Sequence, residues 1–531
     1  MTAITDQNQA AAPSGFWILL TSSLVSSLIM LDSNIVAVSL PAIGRAIGAS
    51  FTDIQWVISA YVLTYASLLL ASGNYADLYG RRKAMVIGLL VFGLASVGCG
   101  LATTPTLLNV ARGIQGVGGA LLLTASLAII SDAFKGTERT RAYAFWGASL
   151  GIALAAGPIL GGTITNFFGW RWVFFVNLPA CAGLIIATLK IIAESRDPDA
   201  KQLDLPGILT FSSGLGLTIW ALIDGNDVGW TSPDILLRLV AAAVLFIAFV
   251  RLELRQTRPM VDFTLFRRST FLGSVLAMIG YGASAQVMVF FLPLFLQNAY
   301  GFEPLIAGLA MIPFALPMVL APRVTRQLSK QFSGRMLLTA GLAITGIGNL
   351  LFWITARSGL SYPIFAVSML VAGGGAGLLN GTTVKVLGSA VPPDRAGMAS
   401  GLASTTRFIG ILLAVAGLGA VLADTVRRSF VKAAVAAGLS SEVSETAAKR
   451  VASSELAGLL RTIPDSLRAH LHDVGLMAFA DGFSAAALLA AAIAAIACIL
   501  TFAFVRSNDT APVPLMKEER PCKAIDCRDP L

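Results

Sequence analysis

Charge is what this sequence lacks. Of its 531 residues only 13% are Asp, Glu, Lys or Arg, against ~25% in an ordinary soluble chain. That shortfall excludes a typical soluble fold. Histidine is almost missing: His470 and His472, in "HLH", stand alone in a polar loop, without the further ligands a metal needs. Cysteine is sparse. Cys99, Cys181 and Cys498 fall in apolar runs, and "CKAIDC", with Cys522 and Cys527, reads as an inert, reduced tail with no zinc pattern. The opening "MTAITDQNQAAAPSG" holds no basic residue. It therefore lacks the charged region of a signal peptide, and the first apolar run reads as a retained span. Carboxylates in the loops, such as Glu442, Glu445, Asp465 and Asp473, have the spacing of a solvated helix face rather than of a catalytic pair. An enzyme is not expected.

What the sequence has is apolar length. Hydrophobic residues make up 56% of it, in runs of about 20 residues, enough for a helix to cross a bilayer. A membrane barrel would show short alternating segments instead. Hydropathy predicts about fourteen spans. The first six fall near Trp17–Leu40, Ile54–Tyr75, Ala84–Leu101, Thr106–Ile130, Ala142–Ile164 and Val173–Ile192. Two more fall near Gly207–Ile223 and Asp234–Val250. The last six fall near Phe271–Leu296, Leu305–Leu320, Met336–Thr355, Tyr362–Gly381, Gly401–Leu422 and Leu476–Val505.

The net charge of +9 has a topological reading and needs no nucleic acid. The basic stretches "GRRK", "FKGTERTR", "RLELRQTRP" and "RVTRQLSKQFSGR" follow spans 2, 4, 8 and 10. By the positive-inside rule these loops and both termini face the cytoplasm. The segment 424–475 is then external, and its amphipathic pattern suggests short helices or a hairpin at the outer surface.

The halves repeat weakly. "RAYAFWGASLGI" from Arg141 is echoed by "RAGMASGLASTT" from Arg395, and "GVGGALLLTAS" from Gly116 by "AGGGAGLLNGT" from Ala372. "VSLPAIG" from Val38 lines up with "FFLPLFL" from Phe290, all at an offset of about 250 residues. This is a parallel repeat of two bundles, with substrate expected at their interface. The expected division is an N-terminal six-helix bundle (1–192), two inserted spans with linkers (193–269), a C-terminal six-helix bundle (270–505) carrying the external loop 424–475, and a cytoplasmic tail (506–531).

Within spans, a carboxylate at the bilayer centre costs ~3 kcal/mol on insertion scales. Asp32 in "IMLDSNIVAVSLP" is such a group. It either binds a proton or cationic substrate, or hydrogen-bonds Asn34 or a serine to fix packing. Arg112 opens "RGIQGVGGA", where Arg112, Gln115, Gly116 and Gly119 share one helix face. Arg112 either serves Asp32 or snorkels to the outer surface. In the second half the counterparts are Ser284 for Asp32 and Ser368 for Arg112, so a protonatable site belongs to the first bundle. "GNYADLYGRRK" places Gly73, Asp77, Gly80 and Arg81 at a tight turn, where Asp77 and Arg81 could latch one bundle to the other. "WGASLGIALAAGPILGG" sets Gly147, Gly151, Pro158 and Gly162 along one face, with Gly157–Pro158 expected to bend the helix.

These motifs, with "GWRWVFFVNLP" from Gly169, resemble the major facilitator superfamily. Within it they resemble the fourteen-spanner drug:proton antiporters (EmrB/QacA-type), and most of all the methylenomycin-resistance-like branch. The resemblance implies an all-α polytopic membrane protein with the major facilitator fold: two six-helix bundles plus two inserted helices. It implies rocker-switch export driven by the proton gradient, with no cofactor and no metal. It carries proton coupling onto Asp32 and Arg112, gating onto Gly73, Asp77, Gly80 and Arg81, and the antiporter motif onto Gly147, Gly151, Gly157, Pro158, Gly161 and Gly162.

One departure bears on substrate. Dication exporters of this family add acids in spans 10 or 13. Here those spans have none, and span 13 holds Arg407. Neutral, monocationic or anionic amphiphilic drugs are therefore expected. Candidates for the cleft lining are Asn34, Trp56, Tyr61, Tyr65, Gln115, Gln286, Phe290 and Asn380, with Phe291 beside them. Membrane lipid is the other expected partner. The chain is expected to act as a monomer in an inner (plasma) membrane, and a periplasmic adaptor is left open. The alternative is a proton-coupled importer of a small nutrient or metabolite.

Overall fold

The computed structural model describes residues 15–197, 204–256, 261–391, 396–453, 465–507 and 509. Among these are fourteen helices long and apolar enough to cross a membrane. Spans 1 to 6 are Gly15–Ile47, Phe51–Tyr79, Arg81–Gly100, Pro105–Ala133, Arg141–Phe167 and Trp172–Ile191. Spans 7 and 8 are Leu205–Val228 and Pro233–Arg255. Spans 9 to 14 are Ser269–Asn298, Pro304–Leu328, Gly334–Arg357, Tyr362–Gly388, Gly401–Ala436 and Arg468–Phe504. An even number of spans brings the start of span 1 and the end of span 14 to one side, here termed the terminus end.

Local chemistry sets the turns. Span 2 starts in a capping box: Ser50 Oγ accepts from the Asp53 amide at 3.1 Å, and Asp53 accepts from the Ser50 amide at 2.9 Å. Thr104 caps span 4 ahead of Pro105, accepting from the Leu107 amide at 3.3 Å. Gly80 alone separates spans 2 and 3, at φ +117°, a left-handed conformation that favours glycine.

Span 9 is not a uniform helix. It passes through a π-helical turn at Gly282–Gln286, a feature frequent at functional sites. Spans 7 and 8 pack together outside the twelve-helix body. Span 7 lies along the seam of spans 2 and 13, where Asn226 donates to the Ala420 carbonyl at 2.6 Å and Thr52 to Asp227 at 2.9 Å.

The segment 424–475 differs from the sequence reading at both of its ends. The helix of span 13 runs on to Ala436, and the helix of span 14 begins at Asp465. Among the described residues one short helix, Ser441–Ala452, lies between them and buries Ala447, Ala448 and Val451. His470 and His472 are therefore helical rather than in a loop. Residues 454–464 lie outside the described residues, as do Cys522 and Cys527 of the tail.

Candidate functional site

Asp32 is 0% exposed, and its partners come from two other spans, 4 and 6. Arg112 Nη1 of span 4 donates to Oδ2 at 2.7 Å. Gln115 Nε2, one turn along span 4, donates to Oδ1 at 3.0 Å. Asn177 Nδ2 of span 6 donates to the same Oδ1 at 2.7 Å. Ser96 Oγ of span 3 lies behind them, 3.0 Å from Gln115 Nε2 and 3.3 Å from Asn177 Nδ2. An ionised carboxylate only accepts, and this one faces three donors.

Arg112 is 2% exposed and does not snorkel. Its Nη1 also reaches Gln115 Oε1 at 2.6 Å, and its Nε donates to the Val57 carbonyl of span 2 at 3.1 Å. The guanidinium lies 4.2 Å from the Tyr61 ring centroid. Gly116 lets span 2 come this close, because a Cβ there would strike the Tyr61 carbonyl. Removing one member of such a buried pair typically costs about 3–5 kcal/mol, since the other charge is left uncompensated.

The two packing alternatives for Asp32 are not what the fold uses. Asn34 Nδ2 donates to the Met30 carbonyl at 2.6 Å, and Ser33 Oγ to the Ile29 carbonyl at 3.2 Å. Gln115, expected in the cleft lining, belongs to the carboxylate cluster. Asn177 and Ser96 were not singled out from sequence, although Asn177 lies in the quoted "GWRWVFFVNLP".

The Asp77–Arg81 pair also differs from its expected role. Arg81 donates to Asp77 Oδ1 at 2.9 and 3.0 Å and sits 3.4 Å from Asp132 at the end of span 4. The Arg81 amide donates to the Ser195 carbonyl, the Asp197 amide to the Asp77 carbonyl, and the Arg82 amide to Glu194. A Cβ on Gly80 would lie within 2.7 Å of the Glu194 carboxyl carbon. The network ties spans 2, 3 and 4 to the segment after span 6. Among the described residues Arg81 makes no ion pair with the last six spans; it is held by Asp77 and Asp132.

The glycine face of span 5 divides in two, and its helix runs unbroken through Pro158. Toward the far end it packs tightly. A Cβ on Gly161 would lie 2.7 Å from the Ile35 carbonyl, and one on Gly162 would lie 2.9 Å from Leu305 Cα of span 10. Gly157 abuts Asn34. Gln297 Nε2 of span 9 donates to the Val38 carbonyl at 2.7 Å, joining the halves at the same end. Toward the terminus end, Gly147 and Gly151 have nothing within 4 Å of a built Cβ. On the span 5 side the halves are packed together at the far end, while Gly147 and Gly151 face open space toward the terminus end.

Of the other lining candidates, Tyr61, Tyr65, Phe290 and Phe291 are buried, while Trp56, Gln286 and Asn380 are partly exposed. Gly73 of span 2 lies 4.0 Å, measured from a built Cβ, from Thr124 of span 4. Among the described residues, no group of three or more His, Cys, Asp or Glu could hold a metal.

A bundle of fourteen spans with a sealed ionic cluster in its first half is the frame of a membrane transporter. The model of the Major Facilitator Superfamily matches residues 22–415, and the chain belongs to that family. The multidrug resistance protein Stp of Mycobacterium tuberculosis is 36% identical over 76% of this chain and 75% of its own length. The methylenomycin A resistance protein of Streptomyces coelicolor is 33% identical over 78% of this chain and 86% of its own. The probable actinorhodin transporter of the same organism is 31% identical, over 83% and 78%. Among solved structures, a bacterial homologue of the human lysosomal transporter Spinster, in an inward-facing and unoccupied conformation, aligns with a TM-score of 0.61 at 17% identity, over 93% of this chain and 98% of that one. Transporters of this superfamily work on an ion gradient and need no cofactor.

Proposed function

We propose that this chain exports drugs or antibiotics in exchange for protons, by alternating access across a cell's inner membrane. The observation that carries the reading is the Asp32 carboxylate, wholly buried and met by three donors. A proton on Asp32 turns one acceptor oxygen into a donor that faces donors. The Arg112 contact then breaks, and the guanidinium and Gln115 rearrange together. Spans 2 and 4 feel the change through Val57 and Tyr61, which Arg112 touches. Asp32 and Arg112 are the coupling pair, and Gln115, Asn177 and Ser96 orient the carboxylate.

The basic loops put the terminus end in the cytoplasm, so the open end is the one from which a drug loads. Two bundles, 1–192 and 270–505, rock against each other, with the inserted spans of 193–269 riding on the seam of spans 2 and 13. Gly73, Asp77, Gly80 and Arg81 gate this motion from inside the first bundle. Gly157, Pro158, Gly161 and Gly162 seal the outer end, while Gly147 and Gly151 line the open one. The resistance names borne by two of the relatives above support the outward direction. The substrate is an amphiphilic, drug-like small molecule, the protein works as a monomer, and any periplasmic adaptor would attach at the outer surface.

The test is proton movement in inverted vesicles with matched protein levels. Adding an exported drug should dissipate the proton gradient for the wild type and leave it intact for Asp32→Asn. A variant that behaves like the wild type would make Asp32 a packing group and overturn the reading.

A further inference from the structure

The proton site makes no use of Arg407, which lies near the start of span 13, away from Arg427 and Arg428 at its far end. Arg407 sits level with the middles of spans 2 and 9. A Cβ on Gly282, where the π-helical turn of span 9 begins, would strike the Arg407 carbonyl. The neighbouring Phe408 meets the Tyr65 ring edge to face, with centroids 4.6 Å apart. The Arg407 guanidinium lies 4.8 Å from the Phe408 ring centroid.

Three further facts mark this place. Among the described residues Arg407 has no carboxylate partner, and its Nε is buried without a hydrogen bond. The hydroxyls of Tyr65 in span 2 and Tyr281 in span 9 are also buried and unpartnered, and both lie within electrostatic reach of Arg407. The Arg407 side chain is itself partly exposed where the two halves meet. A lone cation at membrane depth is expensive unless it pairs with something. Here one guanidinium and two unpartnered phenol donors are electrostatic neighbours, and among the described residues no anion answers them.

An aromatic ladder connects the spot to the proton site. Arg112 lies over Tyr61, Tyr61 stacks on Tyr65 at 5.9 Å, and Tyr65 meets Phe408, which carries Arg407. The ladder has its rings buried in this conformation and would present them to an apolar body only when the halves part. Its Arg407 end offers charge-assisted hydrogen bonds to an oxyanion.

We propose that Arg407, with the Tyr65 and Tyr281 hydroxyls, is the subsite that selects the substrate, and that the compounds exported are amphiphilic organic acids. The acid is a carboxylate or an ionised phenol, and its ring system lies along Tyr61, Tyr65 and Phe408. The inference rests on the exporter reading and adds the substrate class to it. It also separates two tasks: Asp32 takes the proton, and Arg407 takes the anion.

The experiment uses full-length protein in nanodiscs and two matched probes, naphthalene-2-carboxylate and naphthalene-2-carboxamide. The wild type should bind the carboxylate about tenfold or more tightly than the carboxamide, as a charge-assisted contact implies. Arg407→Gln should bring the two affinities within about twofold of each other by weakening the carboxylate alone. Its unchanged carboxamide binding certifies the fold. Arg407→Lys should keep part of the preference, because the charge stays while the planar fork is lost. No acid preference in the wild type, or a preference that survives Arg407→Gln, overturns the inference. Proton-driven efflux of uncharged drugs by Arg407→Gln in proteoliposomes is read in parallel. If it persists while the acid preference does not follow Arg407, only the subsite fails. If the wild type drives no efflux of any drug, the exporter reading fails with it.

Discussion

At the level where span 1 carries Asp32, span 9 carries Ser284. The first position holds a carboxylate bonded to Arg112, Gln115 and Asn177. The second holds a hydroxyl that donates to its own helix, to the Gly280 carbonyl at 2.7 Å. Its backbone carbonyl accepts from Asn349 Nδ2 at 2.9 Å, and Asn349 occupies in span 11 the place that Ser96 has in span 3. The counterpart of Arg112, Ser368, lies 3.5 Å from the Thr355 hydroxyl. One architecture thus holds a charged cluster in one half and a neutral one in the other. The charged cluster locks four spans through one titratable group. The neutral cluster leaves span 9 a π-helical turn whose carbonyl a neighbour satisfies. The proposed proton chemistry is therefore assigned to the first half, and the proposed substrate subsite to the second.

Paired mutations can break this comparison. Arg112→Ala should do the most damage, about 3–5 kcal/mol of stability from an uncompensated buried charge. Ser368→Ala should cost under about 1 kcal/mol, and thermal unfolding of purified protein would separate them. Second, Asp32→Asn should abolish gradient-driven export at matched protein levels, because the amide cannot take up a proton; the Arg112 charge it leaves unpaired should also lower stability. Ser284→Asn in the other half should leave coupling intact, with proton movement per drug as the readout. Third, Asn177→Ala removes a hydrogen bond to a charged group, about 1.5–3 kcal/mol, whereas Asn349→Ala removes a neutral one, about 1 kcal/mol. Equal losses at these two asparagines would contradict the account. The smallest contrast lies within span 5. Gly147→Ala should change stability by under about 0.5 kcal/mol, having open space before it, while Gly161→Ala meets the Ile35 backbone and should cost about 1–3 kcal/mol.

Much of this was legible in the sequence for a physical reason. Fourteen apolar runs reappear as fourteen spans because a lipid-crossing helix must be long and apolar. The pairing of Asp32 with Arg112 follows from expense, since neither charge is tolerable alone in a span. Ser96 and Asn177 left no such mark. A neutral polar side chain is cheap enough in a span to occur for many reasons, so its partner is set by packing rather than by periodicity. The Asp77–Arg81 pair misled because the motif's charges do not say which helix they face. Hydropathy also ended span 13 at Leu422, whereas its helix continues to Ala436. The added turns, "ADTVRRSFVKAAVA", are charged but composed largely of good helix formers.

Asp32 and Arg112 as the sole coupling pair is the claim most open to direct attack. Purified protein in proteoliposomes, loaded with an exported drug, can be asked for two things. One is uphill transport under an imposed proton gradient. The other is drug-for-drug exchange with no gradient. The account predicts that Asp32→Asn loses the first and keeps the second, since the cleft and its motion survive while the proton has nowhere to bind. Uphill transport that persists in Asp32→Asn would contradict it and move the proton site elsewhere, with Asp481 of span 14, now bonded to Ser429 at 2.7 Å, as the next carboxylate to try.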